Sequence, residues 1–136
     1  MIYVIGDIHG EYDKLSRLLA LLNMDAKEYV FLGDYVDKGY KSKEVIDCLV
    51  DLAKVKKCTF LMGNHEYAWL QYFDGEERFM DFLINYGGVE TLKSYSGKDL
   101  GIDQAKSILL RKDEAKYFLS EFLKFCENLK YYYEVG

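Results

Sequence analysis

The chain has 136 residues, half of them apolar and 16% aromatic, which suits one packed domain and argues against a disordered chain. Its formal charge is −5 with no lysine or arginine run, so no basic face offers itself for non-specific nucleic-acid binding. No apolar run approaches the roughly 20 residues that span a bilayer, the start Met1-Ile2-Tyr3-Val4-Ile5-Gly6-Asp7 does not read as a secretory signal, and Cys48, Cys58 and Cys126 lack any Cys-x-x-Cys spacing, so free thiols in a reducing cytoplasm are expected.

Ile2–Ile5 is a short run with β-branched and aromatic residues, the pattern of a strand. Leu15, Leu18, Leu19 and Leu22 recur at helical spacing and predict a helix over 11–22. Tyr29–Leu32 reads as a second strand. Val45, Ile46, Leu49 and Leu52 predict a helix over Ser42–Ala53, with Ser42 as N-cap. Cys58–Met62 is the third predicted strand. This alternation is that of an α/β fold with a parallel or mixed sheet flanked by helices. Beyond Glu66, residues Tyr67–Phe73 and Glu76–Asn85 read as helical. Gly87-Gly88 and Ser94–Lys98 read as breaks, so residues 86–112 are expected to be a lid or an inter-helix loop. Asp113–Asn128 reads as one helix with Phe118, Leu119, Phe122, Leu123 and Cys126 on one side, and Tyr131–Val135 as a last strand. The aromatic residues Tyr67, Trp69, Tyr72 and Phe73 offer either a substrate platform or core packing, and at helical spacing core is the commoner use. With no linker or repeat, residues 1–136 are expected to form a single domain.

Each of the three early strands runs into a polar motif: Gly6-Asp7-Ile8-His9-Gly10, Gly33-Asp34-Tyr35-Val36-Asp37-Lys38-Gly39 and Gly63-Asn64-His65-Glu66. A single Gly-Asp after a strand is an ordinary turn. Three such motifs, however, converge on the carboxyl edge of one sheet, where α/β proteins bind ligands. Both histidines of the chain lie in them. Carboxylate, imidazole and amide oxygen together suit a first-row dication. Two such ions roughly 3.5–4 Å apart can activate a water and clamp an in-line displacement at phosphorus. Glycine beside the ligands allows sharp turns and close approach. Chemistry also suggests pairing His65 with a carboxylate, which fixes its tautomer.

These motifs, in this order and spacing, resemble the signature of the serine/threonine phosphoprotein phosphatase branch of the calcineurin-like metallophosphoesterases, bacterial or phage type. The likeness covers residues 1–66, and Tyr131–Gly136 resembles the strand leading into that family's next motif. It implies the N-terminal portion of a four-layer α/β/β/α metallophosphoesterase domain and hydrolysis of phosphomonoesters with two divalent ions, Mn²⁺, Fe²⁺ or Zn²⁺. It implies that Asp7 and His9 hold the first ion, that Asp34 bridges both and that Asn64 binds the second. His65 becomes the general acid for the leaving oxygen and Asp37 its orienting partner. Lys38 and Asn64 would face the substrate phosphate. Phosphorylated proteins or small phosphoesters are the implied substrates. Diadenosine tetraphosphate and other nucleotide phosphoesters are the alternative, since hydrolases of those compounds share the motifs.

Three departures stand out. Lys38 replaces the family's usual arginine and loses its bidentate fork. Met62 stands where eukaryotic members often carry another arginine. No histidine follows His65, although the family draws two later histidines to the second ion, so that site is incomplete, with Asp34 and Asn64 alone. The chain is therefore expected to lack the C-terminal part of the family domain, to pair with that missing half or with itself, or to be a single-metal module without catalysis.

Overall fold

The computed structural model describes residues 1–22 and 25–135. Strands β1 (Ile2–Ile5), β2 (Glu28–Phe31) and β3 (Cys58–Phe60) form a sheet in the order β1-β2-β3. Both pairings are parallel, in a register that places Ile5 opposite Phe31 and Phe31 opposite Phe60. All four residues of central β2 are buried, as expected of a strand covered on both faces. Phe31 stacks on Phe60 with ring centroids 5.2 Å apart, and the Phe125 ring meets Phe60 and Tyr35 edge-on. This aromatic cluster anchors the sheet to the helical layer.

Helices α1 (Tyr12–Leu21) and α2 (Ser42–Val55) are the crossovers between the strands. The last predicted residue of the first helix, Leu22, is extended. Part of the turn after it, residues 23–24, lies outside the described residues. Ser42 does not cap α2. Lys41 holds the cap position, and Ser42 is the first helical residue, fully buried, with its hydroxyl turned inward.

Six more helices complete the chain: α3 (Asn64–Phe73), α4 (Phe79–Asn85), α5 (Gly88–Ser96), α6 (Ile102–Leu110), α7 (Lys112–Phe118) and α8 (Ser120–Cys126). Two expectations are corrected by them. Residues 86–112 are neither lid nor loop, because α5 and α6 bury Thr91, Leu92, Ala105, Ile108 and Leu109 in the core. Gly87 does break the chain, at φ 97°, but as the left-handed cap from which α5 starts. The helix predicted over Asp113–Asn128 is two helices meeting at Leu119, a fully buried residue that leaves α7 and caps α8. The Tyr72 hydroxyl donates to the carbonyl of Leu109 at 2.8 Å and ties α3 to α6.

The strand predicted over Tyr131–Val135 is not formed. Only Lys130 pairs, in parallel with Leu61. Its N–H bonds the Phe60 carbonyl at 2.8 Å, and its carbonyl accepts the Met62 N–H at 2.8 Å. One residue after Met62 the neighbouring chain turns into α3, so residues 131–135 have no strand left to pair with. Instead Tyr133 hydrogen-bonds the buried Glu28 carboxylate on β2. Val4 and Leu32 stay largely exposed, and the described residues supply one sheet and its helices. Among them, no helix is long and apolar enough to cross a membrane.

Candidate metal and catalytic site

The turns after β1 and β2 carry every non-glycine residue with positive φ among those described: His9 (46°), Asp34 (57°), Asp37 (72°) and Lys38 (75°). Such backbone is costly for L-residues and persists only where its surroundings enforce it. The enforcement is a ladder between the two turns. The N–H groups of Ile8 and His9 both reach the Asp34 carbonyl, at 3.0 and 2.9 Å. Gly10 N–H reaches the Tyr35 carbonyl and Gly39 N–H the His9 carbonyl, each at 2.9 Å. The third motif presses against the second, since a Cβ on Gly63 would lie 2.2 Å from the Asp34 nitrogen. Glycine is needed there for close approach. Gly6 differs, with nothing within 4 Å of where its Cβ would stand.

This framework gathers Asp7, His9 and Asp34, whose potential ligand atoms all lie within 4.8 Å of one another. His9 Nδ1 sits 2.9 Å from the Val36 carbonyl. A carbonyl can only accept, so Nδ1 carries a proton, and in the neutral ring the lone pair falls on Nε2. Nε2 lies 3.8 Å from Asp7 Oδ2. Asp34 Oδ1 accepts the His65 N–H at 3.0 Å, which fixes that carboxylate. Two carboxylates and one imidazole with a free, oriented Nε2 fit a divalent first-row ion. Asn64 is exposed as the first residue of α3, and Lys38 is exposed with no ion pair among the described residues. No second cluster of histidine, cysteine or carboxylate groups suited to an ion occurs among the described residues.

His65 and Asp37 meet beside the cluster. His65 Nδ1 is 2.8 Å from Asp37 Oδ2, and the His65 ring lies edge-on to His9 with centroids 4.7 Å apart. Asp37 is completely buried and His65 nearly so. Burial opposes a charged imidazolium, but the Asp37 hydrogen bond and negative charge outweigh it and hold His65 above its usual pKa. Two groups that the motifs do not contain also grip Asp37: Trp69 Nε1 donates to Oδ1 at 2.9 Å and Thr91 Oγ1 at 2.6 Å. A buried indole N–H needs an acceptor, which was the available signal for Trp69. Thr91 offered none.

Glu66 is the other group without an assigned role in the sequence. Fully buried, its carboxylate accepts the N–H groups of Asp34 (2.7 Å) and Gly63 (3.2 Å) on Oε1 and of Tyr35 (2.9 Å) on Oε2. It thus staples the second motif to the third. Burial pushes its pKa up to about 7, against the pull of the Asp34 and Tyr35 N–H groups. Its place at the third residue of α3, from which it reaches back to the cap, is the signal that could have found it.

The family model described as calcineurin-like phosphoesterase matches residues 1–129. An uncharacterised protein of Caenorhabditis elegans is 44% identical over 78 residues, covering 46% of this chain and 30% of that protein. The serine/threonine-protein phosphatase PP1-1 of Saccharomyces cerevisiae is 39% identical over 97 residues, covering 68% of this chain and 30% of that protein. A crystal structure of a mutant cold-active protein tyrosine phosphatase aligns with 97% of this chain and 56% of its own at 20% identity, with a TM-score of 0.45. The matched stretch thus spans about 30% of each of these two curated relatives.

Proposed function

Because the chain belongs to the calcineurin-like phosphoesterase family, we propose that it is a hydrolase of phosphomonoesters working at the sheet edge where Asp7, His9 and Asp34 meet. The observation that carries this reading is the adjacency of that ligand cluster to a buried imidazole–carboxylate pair, with the His9 and His65 rings 4.7 Å apart. A divalent ion held there supplies positive charge against the phosphoryl oxygens. Asp7, His9 and Asp34 would hold it, and Mn²⁺, Fe²⁺ and Zn²⁺ all suit the donor set. His65 delivers a proton to the leaving oxygen. Its Nδ1 is engaged by Asp37, so Nε2 is the atom that works. Lys38 would neutralise phosphate charge, and Asn64 would contact phosphate and, with Asp34, help hold a second ion. Substrates are phosphorylated proteins or small phosphoesters, with nucleotide phosphoesters such as diadenosine tetraphosphate as the alternative. Residues 1–136 form one unit of the family domain.

The test is turnover of p-nitrophenyl phosphate with added Mn²⁺, against Asp7→Asn and His65→Ala. The proposal expects wild-type turnover and its loss in both variants. Equal rates in all three proteins would sink it. A second reading, a single-ion module without catalysis, is favoured by the absence of a second ligand cluster among the described residues. Calorimetric titration with Mn²⁺ separates the two readings: two sites per chain support the enzyme, and one site without turnover supports the module.

A further inference from the structure

Asp37 bears more hydrogen bonds than a simple partner of His65 needs. It has no exposure and left-handed backbone. Oδ2 faces His65 Nδ1, while Oδ1 receives both the Trp69 indole N–H from α3 and the Thr91 hydroxyl from α5. Thr91 Oγ1 also accepts the N–H of Asp37 itself at 2.8 Å. Ser42 Oγ lies 3.3 Å from that same N–H and 3.3 Å from Thr91 Oγ1. A hydroxyl has one proton, and Thr91 spends it on Oδ1, so the Ser42 hydroxyl is the donor in their mutual contact. Oδ1 thereby holds two donors of its own, and Oδ2 is left to His65.

The consequence is geometric. A carboxylate rotates about its terminal torsion with little preference of its own. With Oδ1 holding two donors, that rotation is locked and Oδ2 alone is presented to the imidazole. Trp69 and Thr91 lie 32 and 54 residues from Asp37 in sequence, and Thr91 belongs to the segment expected to be a lid or an inter-helix loop.

We infer that Thr91 and Trp69 are positioning residues for the imidazole: by saturating Asp37 Oδ1 they fix the carboxylate plane, and with it the ring orientation and the Nδ1–H tautomer of His65. Ser42 backs Thr91 from the start of α2. The inference rests on the proposed function for its catalytic consequence, while the tautomer it describes is measurable without turnover.

The experiment uses the full chain carrying ¹⁵N-labelled histidine, as wild type, Thr91→Val, Thr91→Ser and Trp69→Phe. Valine matches threonine in shape and loses the hydroxyl. Phenylalanine keeps the aromatic packing and loses the N–H. In wild type, once the imidazolium has given up its Nε2 proton, the neutral His65 ring is expected to show a single Nδ1–H tautomer and a slowly exchanging, far-downfield Nδ1 proton. Thr91→Val is expected to lose that proton signal to exchange and to mix tautomers, Thr91→Ser to restore both, and Trp69→Phe to give an intermediate result. With p-nitrophenyl phosphate and Mn²⁺, kcat should fall about tenfold in Thr91→Val, a fraction of the 10²–10⁴ supplied by a complete acid–base group, at unchanged KM. Folded Thr91→Val and Trp69→Phe proteins with the wild-type His65 signal and tautomer would overturn the inference. If Thr91→Val does not fold, Trp69→Phe and Thr91→Ser decide it by the same spectra. A wild type without turnover counts against the proposed function alone, since the spectra still answer for Thr91 and Trp69.

Discussion

Replacing Glu66 by Gln tests whether one side chain sets the geometry of the site. The carboxylate serves three backbone donors, two on Oε1 and one on Oε2. An amide offers one accepting oxygen. With that oxygen left to Asp34 and Gly63, the amide nitrogen faces the Tyr35 N–H and orphans it in the core. One buried unsatisfied N–H costs about 1–3 kcal/mol, and two charge-assisted bonds become neutral at about 1 kcal/mol each. Relief from desolvating a carboxylate offsets part of this. The net expectation is a loss of about 2–4 kcal/mol, a large share of a domain total of about 5–15 kcal/mol. Urea unfolding of both proteins, read by tryptophan fluorescence, measures it. Because Glu66 holds the Asp34 N–H, calorimetry should also show weaker Mn²⁺ binding. A stability change under about 0.5 kcal/mol with unaltered Mn²⁺ affinity would refute the staple.

Three further outcomes are expected. His9→Ala should weaken Mn²⁺ binding by calorimetry beyond the 10–100-fold typical of losing an outer-shell partner, with the circular dichroism spectrum unchanged. Leu92→Ala, at a fully buried α5 position, should cost about 2–5 kcal/mol in urea unfolding, whereas a lid residue would cost almost nothing. Burial, with a contribution from Glu28, raises the Cys58 thiol from 9.0 to about 11. A pKa higher in the folded than in the unfolded state gives stability that is complete below pH 9 and fades as pH rises through 11. The urea midpoint should therefore hold to about pH 9 and then decline, and iodoacetamide should alkylate Cys58 slowly at pH 8 in folded protein.

The sheet and its three motif turns were legible because each strand is a short β-branched or aromatic run ending at a glycine, and the pattern is local. The placing of Asp7, His9 and Asp34 followed from topology, since parallel strands deliver their carboxyl ends to one edge. What escaped was non-local. Gly87-Gly88 looked like a loop, yet one glycine caps a helix whose Thr91 finds its partner 54 residues away. Ser42 had the composition of a cap and instead points at that same network. Leu119 kept helical periodicity across a real break, because both flanking helices bury the same side. Tyr131–Val135 has strand composition, but β3 has already given way to α3 beside it and leaves only Lys130 a partner. Trp69 read correctly as core, although its indole nitrogen also serves Asp37.

The pairing of Lys130 with Leu61 makes residues 62–129 one excursion that leaves the sheet and returns beside its own starting point. In topology such an excursion is an exchangeable cassette, free to grow or shrink without disturbing strand order. Here that freedom is curtailed at two points, because α3 and α5 each send a donor back to Asp37. Insertions in the exposed connection 97–101, ahead of the core-packed α6, leave both anchors in place, whereas a register shift anywhere from Asn64 to Thr91 moves at least one. Drift in the length of this segment should accordingly be concentrated in that connection.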